Sequence, residues 1–435
     1  MVNLSLSNFN DLSNIKVLDL CCGDGRFLNE VMNYGVSESN LYGVDIDGEI
    51  INNLQENSKI NFSQADSLNK TEFPFKFDFD LIVTNPPFNK KIKNDYVKDY
   101  QYNKIDLCFV ERCMELLKEN GLLCIVLSES LFHSPSNKKI RENLFYKYNI
   151  MGIVDLPHNT FRPYNNAKCN IILIKKTSYQ NHTVELIKLE DIGHDHNGKP
   201  TYNDDINLYF KTPSDYTIFE SYNIIRENDI LVPRYYFNKK NNTDENNILL
   251  GDLINKGIIE TFKGHGSPQS KYKGMGDVPY IRVKDVVNDE LYINPLDKIP
   301  KSIADSFKKI NLLKTDIVMV TRGSYRIGDV AQIHSKDLNS IYTRELQFFR
   351  VIDENNKYHL NNYNLFMILK SDIVKEQYKY LIFNDTTLPT LHNRYEHIQI
   401  PIYSNDKMET ISKVGEKLFN LKEKYWQVIH NYGGT

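Results

Sequence analysis

Cysteine is scarce in this sequence of 435 residues, which contains six, all between Cys21 and Cys169. None of them belongs to a C-x-x-C pair, the spacing typical of zinc sites and of redox-active thiols. The sequence therefore predicts neither a metal site nor a framework of disulfides. Free thiols persist in a reducing compartment, so we expect the protein in the cytoplasm.

Long apolar runs and an excess of one charge are also lacking. No run approaches the roughly 18 apolar residues of a membrane-spanning helix, and residues 1–14 lack the regions of a signal peptide. Basic residues number 53 and acidic residues 56, which gives a net charge of −3. This balance argues against a protein that coats nucleic acid without specificity, but it leaves room for a local basic face.

Short apolar strands alternate with amphipathic helices over the first 175 residues. This alternation predicts an α/β fold with a Rossmann-like, doubly wound parallel sheet. No helix separates the last two strands, so we expect the last one to run antiparallel, at the edge of the sheet. The predicted strands are 15–20, 41–46, 60–65, 79–84, 121–128, 152–157 and 169–176.

Composition divides the chain into four segments. The α/β domain (1–180) is followed by a connector, 181–247, whose last ten residues are polar and typical of a linker. A second, α+β domain with short strands and glycine turns is predicted over 248–404, and a long helix over 405–435.

The C-terminal helix has apolar residues that step by four, three, four and three, a spacing that predicts a narrow coiled-coil seam. The seam could pair two copies of the chain, join an additional subunit, or pack inside its own chain on 363–383. These alternatives stay open at the level of sequence. The seam residues are Val414, Leu418, Leu421, Tyr425 and Val428.

The segment "VLDLCCGDGRF" places Asp19 at the tip of the first strand and Gly23 and Gly25 after it. Such glycines let the backbone pass close to a ligand, although a glycine loop alone is also a common tight turn. Asp45 ends the second strand and Asp66 the third, so three carboxylates are expected at one edge of the sheet. So acidic a rim disfavours phosphates and favours a cationic adenosine ligand such as S-adenosylmethionine.

The fourth strand ends on "TNPPF", which contains Asn85, Pro86, Pro87 and Phe88. Proline cannot continue a sheet ladder, so the two prolines end the strand and stiffen the backbone around Asn85. A stiff loop that presents one amide and one aromatic ring suits a flat ligand with hydrogen-bonding groups. For this motif taken alone, a strand-ending turn is the alternative.

Together these segments resemble the catalytic domain of N6-adenine DNA methyltransferases, especially the modification subunits of type I restriction systems. The likeness covers 15–176 in the family's order, through "VLDLCCGDGRF", "GVDID", "QADS", "TNPPF" and "IRENLFYKYNIMGIVDLPHNTF". It implies S-adenosylmethionine as the cofactor and Asn85, Pro86, Pro87 and Phe88 as catalytic residues. The cofactor-binding residues predicted here are Asp19, Gly23, Gly25, Asp45, Ile46 and Asp66.

The chemistry of the clamp agrees with that role. The exocyclic amine of adenine is a poor nucleophile, because its lone pair is delocalised into the ring. The side-chain oxygen of Asn85 and the carbonyl of Pro86 can each accept one N–H, which aims the lone pair at a sulfonium methyl. Phe88 would stack on a base flipped out of the duplex. Phe161 is either the second face of that stack, as the resemblance implies, or a core residue.

The second domain and the final helix resemble one target-recognition half of a type I specificity subunit with its helical spacer. The matching segments are "VPYIRVKDV", "LLKTDIVMVTRGSYRIGDVAQI" and "FNDTTLPTLHNRYEHIQIPI". This likeness implies binding of double-stranded DNA. A solvated loop or a surface salt bridge is the alternative for every basic residue considered. The candidate DNA-binding residues are Lys90, Lys91, Lys93, Lys271, Lys273, Arg322, Arg326 and Arg344.

Protein glutamine methyltransferases and RNA adenine methyltransferases use the same kind of clamp, and they are the alternative functions. The recognition-like domain favours DNA, and the intact motifs argue against an inactive recognition subunit. The family's segment that holds the methionine end of the cofactor is not found before the first strand, so we expect either a weakened affinity for the cofactor or another segment or subunit that completes the pocket. No nuclease-like cluster is found, so cleavage is expected of a separate restriction endonuclease.

Overall fold

The computed structural model describes residues 1–88, 98–178, 182–241, 246–323, 325–353, 355–385 and 388–432. The chain divides into two units, Met1–Phe237 and Asn238–Thr435. The predicted phosphate contacts Lys90, Lys91 and Lys93 lie outside the described residues. In the parts of the chain that are described, no helix has both the length and the apolar character needed to cross a membrane.

Nine strands of the first unit form one sheet, and two more form a separate hairpin. The strands are β1 (Val17–Asp19), β2 (Leu41–Asp45), β3 (Asn61–Gln64), β4 (Phe79–Thr84), β5 (Leu117–Ser128), β6 (Asn149–Asp155), β7 (Cys169–Lys175), β8 (Thr183–Lys188), β9 (Ile192–His194), β10 (Pro200–Asp204) and β11 (Thr217–Ser221). The helices that begin in this unit are α1 (Val2–Leu6), α2 (Arg26–Asn33), α3 (Gly48–Asn57), α4 (Ile105–Leu116), α5 (Ser130–His133), α6 (Lys138–Ile140), α7 (Asp205–Tyr209), α8 (Pro213–Tyr216), α9 (Tyr222–Asn228) and α10 (Pro233–Asn241).

The sheet runs in the order β11-β8-β6-β7-β5-β4-β1-β2-β3. The predicted parallel pairing is confirmed, because β1 pairs with β2 and β4, β2 pairs with β3, and β4 pairs with β5, all in parallel. The antiparallel direction of the last predicted strand is also confirmed, since β7 runs against both β5 and β6. Residues Leu81, Ile82 and Val83 of β4 are wholly buried, as expected for a strand covered on both faces.

The predicted place of that antiparallel strand, at the edge of the sheet, is wrong. β7 lies between β5 and β6, and the sheet continues through β8 and β11, which fall in the predicted connector. β8 is a short strand that buries Val184, Leu186 and Ile187, and so brief an apolar run carries little periodicity of its own. The first unit therefore extends to Phe237 instead of ending at residue 180.

Ion pairs of two arginines tie the end of this unit to the rest of its fold. Arg141 donates through both arms of its guanidinium to Asp229, at 2.7 and 2.5 Å. Arg234 pairs with Glu129 at 2.6 Å and with Asp155 at 2.7 Å. Because forked arginine–carboxylate pairs fix geometry as well as charge, this stretch is part of the folded unit and not a free linker.

The second unit mixes short strands with helices, in agreement with the predicted α+β organisation. Its strands are β12 (Asn247–Leu249), β13 (Ile259–Lys263), β14 (Val278–Ile281), β15 (Val286–Val287), β16 (Glu290–Leu291), β17 (Lys298–Ile299), β18 (Ile317–Val320), β19 (Val330–Gln332), β20 (Ile341–Tyr342), β21 (Leu346–Val351), β22 (Phe383–Asp385), β23 (Leu388–Thr390) and β24 (Gln399–Pro401). Its helices are α11 (Leu250–Asn255), α12 (Lys301–Ala304), α13 (Asn362–Leu369), α14 (Asp372–Leu381) and α15 (Asn405–Tyr432). The two largest sheets run β13-β21-β18-β19 and β17-β14-β20.

The long helix α15 confirms the predicted C-terminal helix and packs on α13. The rings of Tyr363 and Phe419 lie 5.9 Å apart, edge to face, and the Asn361 amide donates to the Ser412 hydroxyl at 2.7 Å. The helix thus packs within its own chain through a face other than the predicted seam. Four seam residues stay more than half exposed, namely Val414, Leu421, Tyr425 and Val428.

A chain cut after Phe237 is expected to unfold cooperatively, whereas a chain cut after residue 180 is expected to lose cooperative unfolding. The shorter chain lacks β8 and β11, and it leaves the Arg141 cation buried without Asp229, a loss that costs about 3–5 kcal/mol. Thermal unfolding followed by circular dichroism measures the difference. Equally sharp transitions in both chains would contradict the boundary at Phe237.

Candidate active site

The glycine loop joins β1 to α2 at the edge where the parallel strands end. Gly23 and Gly25 both have a left-handed backbone, with φ of 47° and 78°, which glycine adopts without strain. A side chain added at Gly23 would meet no described atom within 4 Å. The backbone of the loop is therefore open to the close approach of a ligand.

Asp19, at the end of β1, is a buried carboxyl beside this loop. It is 1% exposed, and it accepts the Cys21 amide at 3.1 Å. Burial raises the pKa of Asp19 to about 7, although the bond from the Cys21 amide favours the ionised form, and nearby Asp45 raises the pKa further. A cationic ligand at this carboxyl would favour its ionised form.

Asp45 ties the glycine loop to the end of β2, because it accepts the Gly23 amide at 2.8 Å. Asp66 follows β3 on the same edge and accepts the Leu68 amide at 3.0 Å. Ile46, directly after Asp45, is 69% exposed, so an apolar side chain stands uncovered at the tip of this strand. The structure thus brings the predicted cofactor-binding residues to one rim of the sheet.

Asn85 follows β4, which neighbours β1 in the sheet, so the clamp and the glycine loop leave adjacent strands. The side-chain oxygen of Asn85 is shielded from solvent and has no hydrogen-bond partner among the described residues. Leaving a buried acceptor unpaired costs about 1–3 kcal/mol. Such a group needs an explanation, and a ligand that donates to it is one. Pro86 after it is buried, and Pro87 is exposed.

Phe88 and Phe161 meet beside the clamp. Their ring centroids lie 6.1 Å apart with an interplanar angle of 64°, an edge-to-face contact. Both rings are partly buried against the core of the first unit. The two predicted stacking residues are therefore neighbours, but they are not parallel plates with a slot between them.

Three adjoining grooves in the second unit form a surface rich in basic side chains. Two of them share Arg322, Arg344 and Glu345, and the third is joined to these through Lys263. We call this surface the basic groove. Further cations that line it are Lys273, Arg282, Lys284, Lys308, Lys309 and Arg350.

Three of the predicted DNA-binding residues, Lys273, Arg322 and Arg344, line the basic groove. The Arg344 side chain is 72% exposed, with only a 3.5 Å approach to Glu345. The Arg322 guanidinium lies 3.7 Å from Asp385. Their forks are thus available at the surface of the groove.

Arg326 and Lys271 are not among the residues that line the groove. The Arg326 guanidinium donates to the Val286 carbonyl at 3.1 Å and lies 3.5 Å from Asp329, so it holds the fold of the unit together. The Lys271 ammonium lies over the ring of Tyr272, 4.9 Å from its centre. Lys308 and Lys309 line the groove but are not among the DNA-binding residues predicted from sequence, although two consecutive lysines indicate a basic surface.

Metal ligation finds no support in the parts of the chain that the structure describes. No group of three or more histidine, cysteine, aspartate or glutamate side chains there is arranged to hold a metal ion. All six cysteines are free thiols.

Comparison with known proteins assigns the first unit to a family. Residues 1–213 match the profile of the N-6 DNA Methylase family. The chain is 28% identical over 145 residues to the type II methyltransferase M.VspI of Vibrio sp. (strain 343), which covers 30% of this chain and 36% of that protein. It is 31% identical over 115 residues to the methylase subunit of the type I restriction enzyme EcoEI of Escherichia coli, which covers 25% of this chain and 24% of that protein.

A solved structure with a similar fold is that of the DrdV–DNA complex. The TM-score is 0.53 at 11% identity, over 96% of this chain and 55% of that one. The chain spans no more than 36% of the length of the two relatives compared above. The family assignment therefore rests on the profile match, and the first 213 residues of this chain belong to the N-6 DNA methylase family.

Proposed function

We propose that the chain is a site-specific DNA methyltransferase that transfers a methyl group from S-adenosylmethionine to the N6 amine of an adenine flipped out of the duplex. The observation that carries the proposal is the buried side-chain oxygen of Asn85 at the end of β4, which has no hydrogen-bond partner among the described residues. Its position beside the glycine loop supports a reaction between a base and a cofactor. The methyltransferases named among the relatives support the same chemistry.

The cofactor site fits S-adenosylmethionine in three respects. The open backbone at Gly23 leaves room for the ligand, Asp45 and Asp66 offer carboxylate oxygens to ribose hydroxyls, and exposed Ile46 offers an apolar face to the adenine ring. Asp19 lies where a carboxylate can face a cationic group. When bound, the cofactor supplies an electrophilic methyl carried by a sulfonium.

The clamp activates the target amine by hydrogen bonding. The Asn85 side-chain oxygen and the Pro86 carbonyl each accept one N–H, which pulls the amine nitrogen toward tetrahedral geometry and frees its lone pair. Pro86 and Pro87 restrict the backbone, so the two acceptors are held in place before the base arrives. Since the Asn85 oxygen is shielded from water, its bond to the amine is stronger than it would be in solvent.

The aromatic pair takes part in holding the base. Stacking of the flipped adenine on Phe88 is worth about 1–3 kcal/mol, which offsets much of the few kcal/mol that flipping costs. For the base to lie between Phe88 and Phe161, the two rings must separate and turn parallel. The edge-to-face contact that they give up is worth about 0.5–1.5 kcal/mol.

The basic groove is the proposed binding surface for double-stranded DNA. Its cations suit a run of phosphates, and Arg322 and Arg344 add planar forks that match phosphate or guanine. Lys90, Lys91 and Lys93, which lie outside the described residues, keep their predicted role as phosphate contacts. The exposed seam of α15 is proposed to bind a second copy of the chain or an additional subunit, and a separate restriction endonuclease is the further partner. The free thiols suit the cytoplasm.

Replacing Asn85 with alanine is expected to abolish methylation. Single-molecule sequencing of DNA from a methylation-free host should show N6-methyladenine at one recurrent motif with the wild type. With Asn85→Ala the signal should fall by about a hundredfold or more, because one of the two acceptors for the amine is lost. Asn40→Ala is the matched control and should methylate normally. Asn40 directly precedes β2, at the edge where the parallel strands begin, opposite to the edge that carries Asn85. Undiminished methylation by Asn85→Ala would refute the clamp.

Affinity for S-adenosylmethionine is expected to rise with pH. The raised pKa of Asp19, about 7, means that the carboxyl loses its proton around neutrality, and only the ionised form attracts a cation. Between about pH 6 and pH 8 the affinity should therefore increase about tenfold. Isothermal titration calorimetry measures it, with Asp19→Asn as the control that lacks this titration. The same pH profile in both proteins would rule out Asp19 as the cause.

Arg344→Ala is expected to weaken DNA binding and to reduce its salt dependence. Each lost phosphate contact lowers the slope of log affinity against log salt by about 0.9. Arg326→Ala, matched in chemistry but bonded to the Val286 carbonyl, should keep the slope and lower the thermal stability instead. Fluorescence anisotropy at several salt concentrations measures both variants. A changed slope in Arg326→Ala and an unchanged one in Arg344→Ala would show that the basic groove is not the DNA surface.

A further inference from the structure

Four charged side chains, three of them buried and the fourth, Arg234, 13% exposed, meet where β5 and β6 end and β7 begins, and none of them takes part in the proposed transfer. Glu129 and Asp155 are carboxylates, and Lys168 and Arg234 are cations, so the charges balance. Arg234 Nη1 lies 2.6 Å from Glu129 and 2.9 and 2.7 Å from the two oxygens of Asp155. Glu129 is wholly buried and Asp155 is 2% exposed.

Asp155 and Lys168 stand at the two ends of the loop 156–167, which carries Phe161. The Lys168 ammonium donates to the Asp155 carboxylate and to the Leu156 carbonyl, so it closes the loop at its base. The direction in which the loop leaves the sheet is therefore set by the geometry around Asp155.

Arg234 is the group that holds both carboxylates at once. Lys168 reaches Asp155 closely but lies 3.8 Å from Glu129, whereas one guanidinium nitrogen of Arg234, Nη1, lies within 2.7 Å of an oxygen on each carboxylate. Burial acts to raise the pKa of Asp155, yet Arg234 and Lys168 hold it below its ordinary value. Burial acts to lower the pKa of Arg234, but Asp155 and Glu129 outweigh it and raise that pKa. The four groups thus keep one another charged.

We infer that Arg234 is a positioning residue for the target-base pocket: through Asp155 and Glu129 it fixes the loop 156–167 and, with it, the place of Phe161 beside Phe88. The identity of the base in this inference rests on the proposed function, whereas the role of Arg234 in fixing the loop does not. The cofactor rim is built by β1, β2 and β3, which β4 separates in the strand order from the strands β5, β6 and β7 of the cluster. A change at Arg234 should therefore alter base capture without altering cofactor affinity.

The test is Arg234→Lys, which keeps the charge but, with its shorter side chain, withdraws the cation from the position of Nη1 between the two carboxylates. The substrate is a duplex with the motif found by sequencing, in which 2-aminopurine replaces the target adenine. The fluorescence of 2-aminopurine reports whether the base is flipped. With the variant, the fluorescence rise on binding is expected to fall, and kcat on adenine to drop about tenfold or more through misplacement of the pocket. KM for S-adenosylmethionine should not change. A mispair opposite the target should restore much of kcat, because an unpaired base flips at lower cost.

Arg141→Lys is the matched control. Arg141 also makes a forked, buried pair, with Asp229, and it anchors the same stretch of chain that carries Arg234. It lies outside the four-charge cluster, so its variant should flip the base normally. If Arg234→Lys does not fold, the double variant Arg234→Gln with Glu129→Gln preserves the charge balance, and it is expected to show the same defect in flipping.

Flipping that is unchanged in Arg234→Lys, or reduced equally in Arg141→Lys, would overturn the inference. If the wild type leaves DNA adenine unmethylated, the proposed function fails, and hydrogen exchange of 156–167 then decides the role of Arg234. Faster exchange in Arg234→Lys than in Arg141→Lys supports it, and equal exchange overturns it.

Discussion

The parallel pairing of β1 with β2 and β4 is the constraint on which the candidate active site depends. Parallel strands end at one edge of a sheet, so this pairing brings Asp19, Asp45 and Asn85 to adjacent positions. The pairing is maintained by strands that are apolar on both faces, with Val17 and Leu81 wholly buried. Burying one such side chain stabilises the fold by about 1.5–3 kcal/mol, and the sum keeps the edge rigid.

That stability allows the site to retain groups that weaken the fold. The Asn85 oxygen is buried without a partner among the described residues, and burial raises the pKa of Asp19 to about 7. Both features are costly in the free protein and become favourable when a donor or a cation arrives. Exclusion of water makes both groups costly in the free protein, and it also strengthens their bonds to a ligand. The burial that weakens the fold at these two groups therefore supports ligand binding.

A similar relation links the four-charge cluster to the loop of Phe161. Arg234 and Asp155 are 79 residues apart in sequence, and their pairing fixes both the end of the first unit and the base of the loop. A guanidinium nitrogen that contacts two buried carboxylates at once tolerates little displacement. The end of the unit and the aromatic wall of the proposed pocket are therefore set by one group of charges.

Local patterns explain why much of the molecule could be predicted from sequence. The seven strands, the glycine loop and the clamp each lie within a few residues, where periodicity, left-handed glycines and paired prolines have direct structural meaning. β8 and β11 are longer than β1, but charged and polar residues interrupt their apolar positions, and strands of that composition gain their identity from the neighbours that they pair with.

Long-range contacts account for the remaining differences. Arg326 and Arg344 look alike in sequence, and the contact with the Val286 carbonyl, 40 residues away, marks Arg326 as the one that supports the fold. Helix α15 shows the same limit, since its seam was visible as a pattern but its packing on α13 uses another face. Arg234 gave no motif, because its meaning lies in carboxylates from two different strands.

The most direct test of the central claim is a structure of the protein with a non-reactive cofactor analogue and a duplex that contains the methylated motif. The account predicts that the target adenine stands outside the helix, with its N6 within about 3.2 Å of both the Asn85 side-chain oxygen and the Pro86 carbonyl. An adenine that stays stacked in the duplex, or an N6 amine that faces away from Asn85, would contradict it.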